Sequence, residues 1–174
     1  MNQTIKDMKE RRSIRKFKGD KVPREVIDQI VEAGLYAASG MNKQLTKILV
    51  VTNKEWRNRF QRSNQQIGGW KDGFDPFYGA PVILVVLADK EWVNHVYDGS
   101  LVMGNLMLAA HALGIGSCWI HRAKEEFEMP EYKQLLADLG IEGEWEGIGH
   151  VALGYADQQP KTLERKPERV YYIE

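Results

Sequence analysis

A basic run near the N-terminus is the stretch of this chain that most clearly points to chemistry. Residues 10–18 read ERRSIRKFK and hold five cations, one hydroxyl and two apolar side chains. A solvated basic face would not need Ile14 and Phe17 alternating with the charges. The alternation instead predicts an extended segment that is pinned to the core by its apolar residues.

Such a segment would present Arg11, Ser13 and Arg15 on one side. The guanidinium fork matches the oxygens of a phosphate. Each charge-assisted hydrogen bond contributes about 1.5–3 kcal/mol, so three of them outweigh the cost of ordering the side chains. The spacing therefore predicts a phosphate site, and a solvated basic surface remains the alternative.

Other signatures of common chemistry are incomplete. The segment 149–154 has the glycine spacing of a P-loop, but Tyr155 stands where its lysine must be. The glycines at 114 and 116 lack the third glycine of a dinucleotide fingerprint. Cys118 and His121 are an odd number of residues apart on a predicted strand, so they would point to opposite faces. The four histidines show no metal-ligand spacing, and we assign no metal.

Composition narrows the class of protein. The 174 residues carry 24 basic and 24 acidic side chains, a balance that argues against a general nucleic-acid or membrane platform. The single cysteine excludes an internal disulfide. The N-terminal residues lack the apolar core of a signal peptide, so we expect a cytoplasmic protein. The uncharged stretch 99–120 has the length of a membrane span, but its glycines, Asn105 and His111 favour a buried helix and strand.

The pattern of elements predicts one domain over residues 1–174, of the α/β or α+β class, with helices covering a central sheet. The strand 48–52 is a short continuous apolar run and should be buried on both faces. Residues 63–79 have no clear period, which is typical of a functional or mobile segment. We predict helices over 4–10, 23–39, 54–61, 99–113 and 130–139, and strands over 48–52, 80–89, 117–120 and 147–155.

Four motifs together resemble the nitroreductase family of flavoproteins, and the resemblance covers nearly the whole chain. RRSIRKF resembles the family's N-terminal flavin-phosphate motif, and AASGMNKQ resembles its proline-serine-serine-x-asparagine-x-glutamine loop. The long apolar helix followed by GIGSCWI resembles the core helix and the strand behind the flavin. The terminal RKPERVYYI resembles the closing basic pair.

The resemblance implies a three-layer α/β/α member of the α+β class with a central, mostly antiparallel sheet. It also implies a homodimer with one FMN at each end of its interface. It assigns the ribityl phosphate and pyrimidine edge to Arg11, Arg12, Ser13 and Arg15, with Arg165 and Lys166 returning to the same phosphate. Contacts from the other subunit would come from Ser39, Gly40, Asn42 and Gln44. The flavin ring would be lined by Trp119, Ile120, His121 and Arg122, with the His121 N–H near flavin N5, and by Asn64 at the other edge.

The implied activity is that of an FMN-dependent oxidoreductase. A hydride from NAD(P)H would reach flavin N5, and a nitroaromatic, a quinone or a similar acceptor would then take the same place in a ping-pong cycle. Arg15 would stabilise the negative charge of the reduced flavin. No side-chain nucleophile is needed.

The chain departs from the family pattern at three places. Ala38 replaces a proline, Leu45-Thr46 replaces a proline-tryptophan pair, and His121-Arg122 stands where many members have an acidic residue and a glycine. The last change motivates an alternative, an FMN-binding carrier or sensor without turnover. Dehalogenation, ligand fragmentation and nucleic-acid binding through RRSIRKFK are weaker alternatives.

Apolar surface supports the dimer. The loop 39–44, the tail segment VYYI and the indoles of Trp70, Trp92 and Trp145 offer more apolar and adaptable surface than a lone domain of this size leaves open. Interleaved tails of two copies would bury it.

Overall fold

A four-stranded antiparallel sheet lies at the centre of the computed structural model, which describes residues 1–174. The strands are β1 (Thr46–Val51), β2 (Val82–Asp89), β3 (Gly116–Ile120) and β4 (Trp145–Gly154). Their order across the sheet is β1-β2-β4-β3, and all three pairings are antiparallel.

Six helices surround this sheet, and a 3-10 turn at Gly40–Asn42 precedes β1. The helices are α1 (Gln3–Glu10), α2 (Arg24–Leu35), α3 (Lys54–Gly68), α4 (His95–Ala112), α5 (Ala123–Glu126) and α6 (Pro130–Asp138). Helix α1 is amphipathic, and Asn2 caps it by accepting from the Thr4 N–H at 2.9 Å.

Alternation along β2 divides the core into two layers. Val82, Leu84 and Val86 face one cluster, which also holds the buried residues of α2 and α4. Ile83 and Val85 face the other cluster, with α3, α5 and α6. The sheet therefore lies between two helical layers, and the predicted three-layer α+β fold with an antiparallel sheet is confirmed.

Helix α4 crosses the first layer and is apolar on most sides. It begins at His95 instead of Gly99, and its inner face buries Val102, Met103 and Leu106 against the sheet. One side of α4 faces outward and exposes Tyr97 and Leu101. The prediction that this helix is buried is therefore only partly correct. No helix combines the length and the apolar character that crossing a bilayer requires.

Helix α3 is longer than the apolar pattern predicted. Asn53 caps its first turn by accepting from the N–H groups of Glu55 and Trp56. It continues to Gly68 and ends at Gly69, whose φ of 67° is left-handed. Six residues that we expected in an irregular segment, 63–68, are therefore helical, and Asn64 lies on a helix face.

Strand β1 is an edge strand, and the prediction that both its faces are buried is wrong. Ile48, Leu49 and Val50 are half-buried, whereas the central strand β2 is buried along almost its whole length. An apolar run is common to both environments, so composition could not distinguish the edge from the centre. Helix α2 also ends early, at Leu35.

The C-terminal tail follows β4 without helix or strand. Its apolar residues 170–173 are among the most exposed in the chain. Of the indoles expected at the surface, Trp70 is exposed, whereas Trp92 and Trp145 are half-buried and donate hydrogen bonds within the chain.

Candidate functional site

The basic N-terminal segment lies in extended form along the outer edge of β3. Ser13 forms a parallel bridge with Ser117, and the Ile14 N–H donates to the Ser117 carbonyl at 2.9 Å. Ile14 is buried, and Phe17 is half-buried beside Ala156. The predicted segment pinned to the core by these two residues is present.

This segment and the C-terminal tail enclose a cationic cleft of about 550 Å³. Glu164 is the acidic residue on its wall, so the cleft has a large excess of positive charge. The two predicted halves of the phosphate site, Arg15 and Arg165 among them, are 150 positions apart in the sequence and line this one cleft. Its cations are Arg12, Arg15, Lys161, Arg165, Lys166 and Arg169, and Ser13 adds a hydroxyl.

Arg11 does not line this cleft, contrary to the prediction that it shares a side with Ser13 and Arg15. Arg11 is the C-cap of α1, and it lines a neighbouring cavity that also includes His111. Partial burial and the adjacent Arg12 lower the Arg11 pKa, and Nη1 is buried without a hydrogen-bond partner.

Arg12 lies between the two cavities. Its Nη1 donates to the carbonyl oxygens of Lys9 at 2.6 Å and Arg11 at 2.7 Å, whereas its buried Nε has no partner. Two adjacent guanidinium groups thus each leave one buried N–H unpaired. Buried donors of this kind are costly unless a ligand satisfies them.

The end of β3 forms the second part of the site. The side chain of Ile120 is buried in the core, so only its backbone can contact a ligand, and His121 is exposed. Trp119 is half-buried and has an unpartnered indole N–H. A cavity of about 670 Å³ opens here, lined in part by Trp119, His121, Arg122 and Ile148.

Arg122 has a backbone conformation that glycine normally adopts. Its φ is 83°, which costs a non-glycine residue about 1–2 kcal/mol. Nη1 donates to Glu125 Oε1 at 3.0 Å. Burial would raise the pKa of the Glu125 carboxyl, but a hydrogen bond from its own N–H and the contact with Arg122 outweigh burial and lower it.

Asn64 joins α3 to this wall. Its side chain is fully buried, and Nδ2 donates to the His121 carbonyl at 2.7 Å. The amide oxygen Oδ1 is buried without a partner. The structure therefore places Asn64 against the end of β3 and leaves one acceptor free, and its contact with the ring stays a prediction.

The loop 39–44 lies apart from both cavities. The Gln44 N–H donates to Ser39 Oγ at 3.1 Å, and Gln44 Nε2 donates to Asn42 Oδ1 at 3.0 Å. Gly40 contacts the start of α4 through Asp98. Within one chain this loop is not close to the cationic cleft; the resemblance assigned it to the other subunit.

Sequence reasoning missed three groups of residues around the site. Asp98 stands directly before the uncharged stretch 99–120, and this position is the signal that could have pointed to it. For His150 the signal is a polar residue at a core position of a predicted strand. Glu126 lies in a short helix that no pattern predicted. Lys161 and Arg169 share the basic tail with the two cations that were chosen.

The chain is thus an α+β domain with a helix-covered antiparallel sheet and, at its β3 edge, a cationic cleft suited to an anionic ligand. Comparison with known proteins gives the family: the Nitroreductase family model matches residues 8–155. The chain belongs to the nitroreductase family, which confirms the resemblance found in the sequence.

Relatives cover nearly the full chain. A protein of Methanothermobacter thermautotrophicus named for NADH dehydrogenase and NAD(P)H nitroreductase activity is 28% identical and covers 96% of this chain and 85% of its own length. A nitroreductase with bound FMN from Bacteroides fragilis is 27% identical with a TM-score of 0.88. Another with bound FMN from Desulfitobacterium hafniense is 28% identical with a TM-score of 0.89. Both structures match over 100% of each chain.

Proposed function

We propose that this chain is an FMN-dependent oxidoreductase that passes reducing equivalents from NAD(P)H to nitroaromatic, quinone or similar acceptors in a ping-pong cycle. The cationic cleft between the N-terminal segment and the tail carries the proposal. The bound FMN of the similar structures and the NAD(P)H in the name of the archaeal relative support the cofactor and the donor.

The cleft fits the phosphate of FMN. A phosphate monoester carries close to two negative charges, and Arg12, Arg15, Arg165 and Lys166 supply more than enough positive charge to balance it. The hydroxyl of Ser13 adds a neutral donor. The unpartnered Nε of Arg12 is a buried group that such a ligand would satisfy.

The end of β3 fits the flavin ring. FMN, when bound, supplies reversible two-electron chemistry, so the protein's part is orientation and charge. Asn64, whose Oδ1 is an acceptor without a partner, would contact the other edge of the ring. Arg15 would balance negative charge on the reduced ring, and the backbone N–H of His121 would face N5.

A ping-pong cycle agrees with the rest of the sequence. No dinucleotide fingerprint accompanies the site, so NAD(P)H would be a transient visitor. Donor and acceptor would then occupy the same face of the flavin in turn, beside Trp119 and His121.

We further propose that the protein works as a cytoplasmic homodimer. The outward side of α4 carries Tyr97 and Leu101, and the neighbouring end of α2 exposes Tyr36, as large apolar groups that a second copy would cover. The exposed apolar tail 170–173 is suited to pack on that copy. A single free cysteine, Cys118, is typical of a reducing compartment.

Anaerobic spectroscopy tests this proposal. Purified protein should be yellow, and its flavin absorbance should bleach on addition of NADH or NADPH and return when a nitroaromatic or quinone is added. Bleaching that is absent with both donors, despite tight FMN binding, would favour the carrier or sensor alternative. Colourless protein that does not bind added FMN would contradict both.

A further inference from the structure

Asp98 is a buried carboxylate in the first turn of α4 and has no role in the site described so far. Its side chain joins two distant segments: Oδ1 accepts from the Gly40 N–H and Oδ2 accepts from the indole Nε1 of Trp92, both at 2.9 Å. The residue is 4% exposed. The carboxylate thus has a donor on each oxygen and connects α4 to the loop 39–44.

This loop holds an unusual backbone. Met41, Asn42 and Gln44 all have φ near 54°, in the left-handed region that non-glycine residues rarely adopt. Three such residues within four positions persist only where surrounding contacts determine them. The same residues are exposed, so the loop presents the amides of Asn42 and Gln44 outward in one fixed arrangement.

Gly40 fits this arrangement tightly. A Cβ at this position would lie 2.8 Å from Asn94 Nδ2 and 2.9 Å from Trp92 Cζ2. Trp92 is itself held by Asp98. The carboxylate therefore fixes both the loop backbone and the ring against which the loop packs.

We propose that Asp98 is a positioning residue for the flavin site of the partner subunit. It holds the strained loop in the conformation that presents the amides of Asn42 and Gln44 to the FMN bound across the dimer interface. This inference rests on the proposed function. It assigns to Asp98 a role in cofactor binding that acts in trans.

The substitution Asp98→Asn tests the contact with little change in shape. An amide has one acceptor oxygen, so it keeps one of the two hydrogen bonds and turns an NH2 group toward the other N–H. The substitution Gly40→Ala displaces the loop without altering Asp98. We expect each variant to raise the Kd of FMN at least about tenfold, which corresponds to about 1.4 kcal/mol. Asp138→Asn on the surface of α6 and Gly19→Ala, where a Cβ meets nothing within 4 Å, are the matched controls and should bind FMN normally.

If Asp98 had a merely structural role, Asp98→Asn would weaken the flavin sites of both subunits alike. Hybrid dimers therefore distinguish a structural role from a role in the partner's flavin site. Asp98→Asn and Arg15→Gln chains carrying different tags are co-expressed, and mixed dimers are isolated by two affinity steps. If the loop serves the partner, one site of the twofold dimer combines an intact Arg15 with an intact loop. The hybrid should then bind one FMN per dimer with the wild-type Kd, although neither parent does.

The remaining outcomes are equally clear. A hybrid whose two sites are both as weak as those of the parents would overturn the proposal, as would Gly40→Ala and Asp98→Asn proteins with unchanged FMN affinity. If Asp98→Asn fails to fold, the hybrid of Gly40→Ala with Arg15→Gln gives the same comparison. Wild-type protein that binds no FMN would instead refute the proposed function, and this outcome is separate from the ones above.

Discussion

His150 Nε2 and Glu126 Oε2 lie 2.6 Å apart in the interior of the protein, and neither side chain has any exposed surface. The other ring nitrogen, Nδ1, donates to the Ile120 carbonyl at 3.4 Å. The rings of Phe60 and Phe77 meet the imidazole edge-on. This polar pair therefore lies among aromatic rings and contacts the end of β3 from the core side.

Removing one member of this pair should be far more harmful than removing both. We expect Glu126→Leu to lower the free energy of unfolding by about 3–5 kcal/mol, because it leaves the imidazole buried without its partner. The double variant Glu126→Leu/His150→Phe should recover most of that loss. Urea denaturation measures both. Glu128→Gln, at an exposed carboxylate on the same stretch of chain that pairs with Lys90 and Lys133, is the control and should cost at most about 1 kcal/mol. A double variant as unstable as the single one would contradict this account.

Loss of a tail cation should weaken cofactor binding. Arg165→Gln removes one charge-assisted contact of about 1.5–3 kcal/mol, so the Kd of FMN should rise about 10- to 150-fold. The Kd of the variant should also depend less on salt, because fewer charges contribute. Isothermal titration with FMN at two salt concentrations gives both quantities. Arg24→Gln, which breaks a surface pair with Asp28, should leave the Kd unchanged.

Glycine at position 122 should stabilise the fold. Arg122→Gly relieves a left-handed conformation, and we expect the free energy of unfolding of the protein without cofactor to rise by about 1 kcal/mol. The reverse substitution, Gly140→Ala, introduces a side chain at a φ of 69° and should destabilise by a similar amount. Thermal unfolding of the two variants provides the comparison. A destabilised Arg122→Gly protein would mean that the ion pair with Glu125 outweighs the strain.

The buried thiol should make the protein sensitive to alkali. Burial raises the pKa of Cys118, and the neighbouring Arg15 and Ser13 oppose only part of that effect. The thiol form is thus favoured in the folded state. This preference for the thiol stabilises the folded state fully below the unfolded pKa of about 8.5, and the stabilisation is lost as the pH rises toward the higher folded pKa.

Cys118→Ser should therefore reduce the fall in stability above pH 8.5. Denaturation curves between about pH 8 and pH 10 measure this slope. Burial also raises the pKa of Tyr132, whose ordinary value of about 10 lies at the upper end of this window, but the variant and the wild type share that residue. Equal slopes for the variant and the wild type would show that Cys118 does not contribute.

The sequence predicted those parts of the fold whose residue pattern is compatible with a single local structure. Ile14 and Phe17 interrupt a run of charges, and the structure buries the first and half-buries the second in an extended segment beside β3. The apolar run of β2 and the helical periodicity of α2 likewise placed their elements correctly. The union of the basic segment with the basic tail came from the family resemblance, because no local pattern links residues 150 positions apart.

Other features depend on tertiary contacts that a pattern does not encode. Two of these features are the position of Arg11 in a different cavity from Ser13 and Arg15, and the exposure of β1 at an edge of the sheet. The final turns of α3 are polar, so no periodicity marked them. Asp98 and Glu126 acquired roles only through partners distant in the sequence, Gly40 and His150.

The two flanks of the sheet differ in one respect that limits how copies of this chain could associate. Residues of the N-terminal segment occupy the outer side of β3, whereas the backbone amides and carbonyls on the outer side of β1 face no other strand. If the β1 edges of two copies formed hydrogen bonds with each other, neither copy would have a free β1 edge for a third molecule. Association through the β1 edge alone should therefore stop at two molecules.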